Sequence, residues 1–438
     1  MSTIGIIGTG EVGWRMGKLL LKAGHKVIGY DIRPKALNRP RESGFILANS
    51  IAELCQRADI VLSCVTDGAA LRNIVVGAAG LAANLPPGKP YIDTTSAEPW
   101  ITTELAPLLK KCGIPFLDAP VSGGVMAAEA GRLNFMVGGD AEVLDACSAI
   151  LKVLGPVVTH VGAVGTGHTI KAINMLALAA SMLSTSELLA VGVAAGYPLN
   201  ELVEQLEKTE GASYSTRVHF PRFVVSGSYS SGFSFSLMLK DLSIGIELAN
   251  RCGISLILEK LTFDIYRSPS NNDLIGKDNT RIVERILSTA YSNRLTEVQF
   301  EPMSRLGPLA AACNTLISSE TICLGVAAGL SVKTIIDVIS DSSGYNRALT
   351  HGVAEYLRNS GTAPSLLTIH KVATETLTQA RRLNIPVPLL SEMDAIQAAA
   401  IKRFGDNADS RMVLDLVAER TKQGNALTMQ WETASGNF

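Results

Sequence analysis

Three glycines near the start of the chain have the spacing of a turn that holds a dinucleotide phosphate. Residues 8–13 read GTGEVG, a G-x-G-x-x-G pattern between an apolar run and an amphipathic stretch. In such a strand–turn–helix the first glycine permits the tight turn, the second lets the backbone approach a pyrophosphate, and the third lets helix and strand pack closely. The pyrophosphate would lie against N–H groups at the helix N-terminus. The pattern therefore predicts a dinucleotide site that contains Gly8, Gly10, Glu11, Val12 and Gly13.

Asp31, which follows the apolar run Val27–Tyr30, bears on which dinucleotide is bound. A carboxylate at this place can accept hydrogen bonds from an adenosine ribose and repels a 2′-phosphate, which favours NAD over NADP. Arg33 lies two residues later, and its guanidinium could instead hold such a phosphate. The sequence predicts NAD and keeps NADP as the less favoured alternative.

Three further segments place polar side chains where strands end or a helix begins. In an open parallel sheet, the carboxyl ends of the strands face the crevice in which ligands bind. The segments are Ile92–Ser96 (IDTTS), Asp118–Gly124 (DAPVSGG) and Gly165–Asn174 (GTGHTIKAIN). Their positions predict that chemistry takes place along one edge of a sheet.

The elements that must position these residues follow from the spacing of apolar side chains. Short apolar runs alternate with amphipathic stretches over the first ~160 residues, which predicts a parallel, doubly wound sheet with right-handed crossovers. Beyond Val164 the strand patterns vanish, and helical patterns continue to about Arg420. The predicted strands are Thr3–Ile7, Val27–Tyr30, Ile60–Val65, Tyr91–Asp93 and Phe116–Asp118, and the predicted helices of this region include Glu11–Ala23 and Ala141–Leu154.

With these segments in view, the chain resembles the β-hydroxyacid dehydrogenase family. That family includes 3-hydroxyisobutyrate dehydrogenase and tartronate semialdehyde reductase, and it is related to 6-phosphogluconate dehydrogenase. The resemblance covers about 290 residues. It rests on the glycine turn, the strand end at Asp93–Ser96, DAPVSGG, the G-x-G-x-x-x-K-x-x-N spacing and Lys240-Asp-Leu242. It implies a Rossmann domain followed by an all-helical domain.

The resemblance also implies roles for individual residues. Ser122, Gly123 and Gly124 would bind the substrate carboxylate, since two glycines let backbone N–H groups converge on an anion beside a hydroxyl donor. Lys171 would be the general base and acid, a task that suits a lysine only if burial lowers its pKa toward neutrality. Asn174 shares a helix face with Lys171 and would orient the substrate. The residues that would line or close over the cofactor are Val65, Thr66, Ser96 and Lys240.

The sequence departs from the family pattern at two positions. The family commonly has a second amide after the asparagine, whereas this chain has Met175, which suggests a substrate with different polar groups. Arg132 stands where the family has threonine, and we expect it on the surface. The sequence expected around the sugar-phosphate site of 6-phosphogluconate dehydrogenases is missing, so a phosphorylated substrate is not predicted.

An internal repeat lies in the helical region. Ser186–Gly196 reappears as Ser319–Gly329, and with the same offset Gly211 falls opposite Gly344. The repeat predicts two copies of one all-helical domain, the second without the chemistry, because Lys171 and Asn174 fall on Ser304 and Gly307. The predicted domains are an NAD-binding Rossmann domain (1–164), a catalytic helical domain (165–292), a degenerate second copy (293–425) and a tail (426–438). The second copy could replace a partner subunit, and whole chains could also form a homodimer.

The composition excludes several classes of function. The chain has 438 residues with 39 basic and 40 acidic side chains, and such balance gives no electrostatic surface for nucleic acid or an anionic membrane. None of the seven cysteines has C-x-x-C spacing, so neither a disulfide framework nor a metal site is predicted, and a reducing, cytoplasmic location is expected. The apolar stretch 172–195 contains Asn174 and Glu187, which favours a buried helix over a membrane span.

Together these patterns predict an NAD-dependent oxidoreductase that reversibly oxidises the β-hydroxyl of a small 3-hydroxy acid or sugar acid. One alternative is an NADPH-dependent aldehyde or imine reductase on the same scaffold, which Arg33 would favour. Another is a non-catalytic dinucleotide sensor, which the second helical copy would favour.

Overall fold

A computed structural model describes residues 1–295 and 303–421 of the chain. Two compact units are present, Met1–Ala172 and Ile173–Phe438, and each is described below by itself. The predicted tail, 426–438, lies outside the described residues.

The first unit is built on one sheet with helices on both faces. The apolar runs form strands because alternate residues can be buried on both sides of the sheet, as with Ile4 and Ile6 on one face and Ile7 on the other. The strands are β1 (Thr3–Ile7), β2 (Lys26–Tyr30), β3 (Ile46–Leu47), β4 (Ile60–Ser63), β5 (Tyr91–Asp93), β6 (Phe116–Asp118), β7 (Val121–Ser122), β8 (Asn134–Gly139) and β9 (Val157–Gly162).

The order of the strands confirms the doubly wound core, but the sheet is mixed rather than wholly parallel. Strands β3-β2-β1-β4-β5-β6 are parallel neighbours, whereas β8 pairs antiparallel with β6 and β7 and parallel with β9. The prediction of a parallel sheet is wrong at this edge because the chain continues from β6 into β7 and then returns, after the short helix Gly124–Ala130, as the antiparallel strand β8 instead of crossing over through a long helix. The register of β6 against β8 continues into β7 without a shift.

Three helices of the first unit begin at side chains that accept a free N–H group of the first turn. Ser50, Asp67 and Asp140 cap them through Glu53, Ala70 and Glu142 N–H groups. The helices are α1 (Glu11–Lys22), α2 (Asn38–Glu42), α3 (Ile51–Arg57), α4 (Gly68–Val76), α5 (Leu81–Asn84), α6 (Pro99–Lys111), α7 (Gly124–Ala130), α8 (Ala141–Leu154) and α9 (Thr166–Ala194), the last of which continues into the second unit.

The second unit is helical throughout its described residues. Helix α9 and helix α14 (Met303–Ala327) are long and apolar enough to cross a membrane. Of the most apolar 18 residues of each helix, however, 100% and 94% are buried, so both are core helices. This confirms the expectation for residues 172–195. The remaining helices are α10 (Leu199–Glu207), α11 (Phe235–Cys252), α12 (Leu258–Tyr266), α13 (Arg281–Ser292), α14 (Met303–Ala327), α15 (Val332–Ser340), α16 (Ala354–Leu357), α17 (Leu366–Arg382), α18 (Pro388–Phe404) and α19 (Val413–Arg420), with π-helical turns at Ser215–Val224 and Ala348–Val353.

Residues that the repeat aligns meet in space within this unit. We call residues 173–295 the first half and residues 303–421 the second half. Ser213 pairs with Asn346 in an antiparallel bridge, and Ser181 donates to Asn314, which is 133 residues away. The same offset relates α10 to α15, each nine residues long. The flanking bonds are reciprocal: Tyr345 C=O accepts from Tyr214 N–H, and Ala212 C=O accepts from Arg347 N–H, both at 2.8 Å.

Candidate active site

The glycine turn after β1 has the geometry that its spacing predicts. Gly8 has φ +90°, and a Cβ there would lie 2.3 Å from the Cys64 carbonyl oxygen. A Cβ on Gly13 would lie 2.0 Å from the Gly8 carbonyl oxygen, so this glycine allows α1 to pack on the strand. At Gly10 the nearest atom to such a Cβ is a guanidinium nitrogen of Arg33, 3.5 Å away. The backbone at Gly10 is therefore open to a phosphate while the flanking glycines are closely packed, which fits a dinucleotide.

Asp31 directly follows β2, and both of its carboxylate oxygens accept hydrogen bonds. Oδ2 accepts the Thr9 N–H (2.9 Å), and Oδ1 accepts the N–H and Nε–H of Arg33 at 2.9 and 3.1 Å. Burial acts to raise the pKa of Asp31, but the hydrogen bonds from Arg33 and Thr9 outweigh it, so the pKa is lowered. The side chain of Arg33 is 63% exposed. The carboxylate is therefore ionised at neutral pH beside an exposed cation.

The ends of β4 and β5 are joined by hydroxyl groups. Asp93 Oδ1 accepts from Ser63 Oγ (2.5 Å) and from Thr95 Oγ1 (2.6 Å), and Thr95 Oγ1 in turn accepts the Val65 N–H. This network fixes the backbone from which the predicted cofactor-lining residues project. Thr66 is exposed, and Val65 and Ser96 are half-buried.

The predicted carboxylate-binding segment begins at the end of β7. Ser122 is 3% exposed, whereas Gly123 and Gly124 are exposed and have φ of +109° and +64°. Both values belong to the left-handed region, which glycine adopts without strain. The segment thus places a hydroxyl beside two accessible backbone positions, as anion binding requires.

Asp118 connects that segment to the helix of Lys171. It closes β6, and its buried carboxylate accepts the Gly165 N–H at Oδ1 (2.7 Å) and the His168 N–H at Oδ2 (2.9 Å). These are free donors of the first turn of α9. A Cβ on Gly167 would lie 2.5 Å from the Asp118 carbonyl oxygen, which explains the second glycine of G-x-G. The carboxylate therefore sets where α9 begins, at Thr166, five residues before Lys171.

His168 also belongs to the site, although the sequence analysis assigned it no role. Its Nδ1 lies 2.7 Å from Thr102 Oγ1, and its Nε2 lies 2.8 Å from the Thr95 carbonyl oxygen. Because a carbonyl only accepts, Nε2 carries the proton and donates. The imidazole is fully buried between the carboxylates of Asp93 (3.4 Å) and Asp118 (3.7 Å). It ties α9 to the end of β5, and the only sequence signal was its place between Gly167 and Lys171.

Lys171 is the charged residue nearest to His168 along the chain. It lies on α9 and is 9% exposed, so most of its side chain is buried. Arg132, which the sequence placed on the surface, is exposed.

Asn174 belongs to the second unit and is fully buried. Its Oδ1 accepts the Gly344 N–H (2.8 Å), and its Nδ2 donates to Ser343 Oγ (3.0 Å). Both partners belong to the second half. The structure therefore brings Asn174 to a segment that is about 170 residues away in the chain, a contact the sequence did not predict.

Lys240 lies on α11 and forms an ion pair with Asp241, with Nζ 3.0 Å from Oδ1. The Lys240 side chain is 24% exposed, and that of Asp241 is 5% exposed.

Among residues 1–295 and 303–421, no group of three or more His, Cys, Asp and Glu side chains is arranged to hold a metal ion. The seven cysteines, which all lie among the described residues, form no disulfide bonds.

Comparisons with known proteins show which families the chain is similar to. The family model described as the NAD-binding domain of 6-phosphogluconate dehydrogenase matches residues 3–162. The model described as NAD-binding of NADP-dependent 3-hydroxyisobutyrate dehydrogenase matches residues 165–286 and 308–417. One description names NAD and the other an NADP-dependent enzyme, so a dinucleotide site is shown without a choice between the two.

Individual relatives match somewhat less than two thirds of the chain. Mitochondrial 3-hydroxyisobutyrate dehydrogenase of Mus musculus is 34% identical over 63% of this chain and 84% of its own length. NAD-dependent L-serine dehydrogenase of Pseudomonas aeruginosa is 32% identical over 61% of this chain and 92% of its own length. The solved structure of Mycobacterium tuberculosis 3-hydroxyisobutyrate dehydrogenase with L-serine has a TM-score of 0.61 and 27% identity, covering 65% of this chain and 99% of that one. The chain therefore belongs to the β-hydroxyacid dehydrogenase family and is a dinucleotide-dependent dehydrogenase that acts on a CH–OH group.

Proposed function

We propose that the protein uses NAD to oxidise, reversibly, the β-hydroxyl of a small 3-hydroxy acid or sugar acid. The observation that carries the proposal is the Asp118 anchor. One carboxylate, four residues before Ser122, accepts the first N–H groups of the helix that bears Lys171. The segment proposed to bind the substrate carboxylate, Ser122–Gly124, and the residue proposed to transfer the proton, Lys171, are thereby linked through the buried side chain of Asp118.

In the proposed mechanism the chain binds, orients and moves a proton. Gly8, Gly10, Glu11, Val12 and Gly13 would hold the dinucleotide, which when bound would supply the acceptor for the hydride that leaves the hydroxyl-bearing carbon. Ser122, Gly123 and Gly124 hold the substrate carboxylate, with Ser122 as a hydroxyl donor. Lys171 Nζ takes the hydroxyl proton as the carbonyl forms, and it returns the proton in the reverse direction.

The substrates in the names of two relatives support the proposed substrate class. 3-Hydroxyisobutyrate and L-serine are both carboxylates with a hydroxymethyl group on the α-carbon. A carboxylate held at Ser122 would place such a hydroxyl at a fixed distance, which suits a base on a rigid helix. Met175, in place of an amide, supports a substrate with one polar contact fewer.

We propose NAD rather than NADP because Asp31 keeps its negative charge at the end of β2. A carboxylate there accepts from a ribose hydroxyl and repels a 2′-phosphate. The exposed Arg33 guanidinium is the feature that favours NADP, and Val65, Thr66, Ser96 and Lys240 are proposed to line or cover either dinucleotide.

We propose further that the second half is a degenerate copy of the first and occupies the place of a partner subunit. The 133-residue offset of the Ser181–Asn314 contact and the two separate matches to one family model support this. Light scattering on the full chain, with a subunit mass of 46.4 kDa, distinguishes a monomer from a homodimer. We also propose a cytoplasmic location, which the absence of disulfide bonds among the seven cysteines supports and cell fractionation tests.

The function is tested by initial rates of NADH formation with 3-hydroxyisobutyrate, L-serine and sugar acids of four to six carbons. We expect turnover of one class, and a fall of about 100-fold or more in Lys171→Met, the scale of general base catalysis. Lys152→Met, at an exposed lysine on α8, is the matched control. NADPH-dependent reduction of aldehydes or imines without any acid oxidation would contradict the proposal, and an unchanged rate in Lys171→Met would remove that lysine from the mechanism.

A further inference from the structure

The side-chain amide of Asn174 is committed to the second half of the helical unit. Its oxygen and nitrogen are hydrogen-bonded to Gly344 N–H and Ser343 Oγ, and no part of the side chain is exposed. A buried amide that is satisfied on both atoms fixes the backbone that carries it. Asn174 follows Lys171 by three residues on α9, so this amide fixes the turn that presents the lysine.

Ser343 and Gly344 are themselves held on both sides. Before them, Ser342 Oγ donates to the Val338 carbonyl at the end of α15 (2.7 Å). After them, Tyr345 C=O accepts from Tyr214 in the bridge between the halves. The segment that contacts Asn174 is therefore rigid enough to act as a fixed support.

Gly344 is required by close approach. A Cβ there would lie 2.7 Å from Asn174 Oδ1 and 2.8 Å from the Asn174 carbonyl oxygen, distances that real Cβ atoms do not adopt. Any larger residue at position 344 must displace this turn of α9.

The equivalent contact on the other side of the unit has no side-chain amide at the position aligned with Asn174. Gly211 stands at the position that the repeat aligns with Gly344, and a Cβ there would lie 3.0 Å from the carbonyl oxygen of Gly307. Gly307 is the aligned counterpart of Asn174, and Ser304 is that of Lys171. The close packing is thus present twice. At Gly344 the glycine N–H is bonded to an amide one turn after Lys171, whereas the N–H of Gly211 is bonded to Thr209 Oγ1 and no lysine stands at the aligned position 304.

We propose that Ser343 and Gly344 are positioning residues of the dehydrogenase site, through which the second half holds Asn174 and thereby the turn of Lys171. The inference rests on the proposed function of Lys171. It assigns to Asn174 a role in fixing the base rather than a direct contact with substrate.

The test compares Gly344→Ala with Gly211→Ala in the full-length protein, measuring kcat, the KM for NAD and the melting temperature. Both substitutions insert the same methyl group into equivalent close contacts. We expect Gly344→Ala to lower kcat by about tenfold or more with little change in the KM for NAD, since small misplacements of a catalytic group are costly. Gly211→Ala should lower the melting temperature by a similar amount and leave kcat within about twofold of the unmodified enzyme.

Ser343 gives a second test should Gly344→Ala fail to fold. Ser343→Ala removes the bond to Asn174 Nδ2, and we expect a lower kcat that Ser343→Thr, which keeps a hydroxyl, restores. Equal loss of melting temperature with unchanged kcat in Gly344→Ala and Ser343→Ala would overturn the inference and leave the proposed function intact. An unmodified enzyme that turns over no hydroxy acid would overturn the proposed function, and the inference with it.

Discussion

Glu187 and Glu320 each accept backbone N–H groups from the first turn of a helix in the half to which they do not belong. Glu187, on α9, accepts from Leu389 and Leu390 of α18, each at 3.0 Å. Glu320, on α14, accepts from Leu258 and Glu259 of α12 at 3.1 and 3.0 Å. The two carboxylates therefore fasten the halves together reciprocally, at helix ends where negative charge is favoured.

These carboxylates predict that the stability of the helical unit depends on pH. Burial raises the pKa of Glu187 to about 8, against the effect of the two N–H groups, and it raises the pKa of Glu320 to about 7. A glutamate whose pKa is raised in the folded state contributes stability that is complete below its unfolded pKa, near 4.5, and that is lost as pH rises through the folded value. We expect the free energy of unfolding to fall by about 1.4 kcal/mol per pH unit for each such group within its window.

The measurement is thermal unfolding between pH 5 and pH 9 for the unmodified protein and for Glu187→Gln. Glutamine does not titrate, so the destabilisation caused by Glu187→Gln should shrink as pH rises toward 8. A destabilisation that stays constant over the whole range would mean that Glu187 is ionised throughout.

Asp118→Asn should weaken both stability and activity. The substituted amide can accept the Gly165 N–H, but its NH2 group would face the His168 N–H and leave that donor buried without a partner. A buried donor without a partner lowers the free energy of unfolding by about 1–3 kcal/mol. We expect a lower melting temperature and a lower kcat with hydroxy acid, because the start of α9 would shift. Unchanged kcat at a temperature where the variant is fully folded would show that the anchor does not position Lys171.

Thr102→Val should destabilise the first unit through His168. Valine preserves the shape of threonine but removes the hydroxyl 2.7 Å from His168 Nδ1 in a fully buried site. We expect a loss of about 1–3 kcal/mol in the free energy of unfolding by denaturant, and near-native stability for Thr102→Ser. Equal stability of the valine and serine variants would show that the hydroxyl contributes nothing.

Arg33→Ala tests the choice of dinucleotide. Its removal leaves the Asp31 carboxylate without its cation and takes away the exposed guanidinium that could hold a 2′-phosphate. We expect the ratio of kcat/KM for NAD over that for NADP to rise by roughly tenfold or more, the worth of one hydrogen bond to a charged group. Steady-state kinetics with both cofactors measures this ratio. A ratio that falls would mean that Arg33 serves NAD binding.

Local patterns along the chain were sufficient for the strands Tyr91–Asp93 and Phe116–Asp118, the helix Ala141–Leu154 and the glycine turn. In each case the controlling interactions lie within a few residues: apolar periodicity, a capping side chain, or a glycine with positive φ. The same patterns missed β8 and β9 and the antiparallel edge, because strand direction depends on how a segment returns to the sheet rather than on its own composition.

The sequence by itself determined the dinucleotide turn, the segment Ser122–Gly124, the spacing of Lys171 and Asn174, and the repeat in the helical region. Only the tertiary structure decided what these residues contact: His168 between Asp93 and Asp118, Asp31 against Thr9, and Asn174 on Ser343 and Gly344. The reason is physical. A propensity or a spacing acts over one or two turns, whereas these hydrogen bonds form between groups that are up to about 170 residues apart, and burial then makes each partner obligatory.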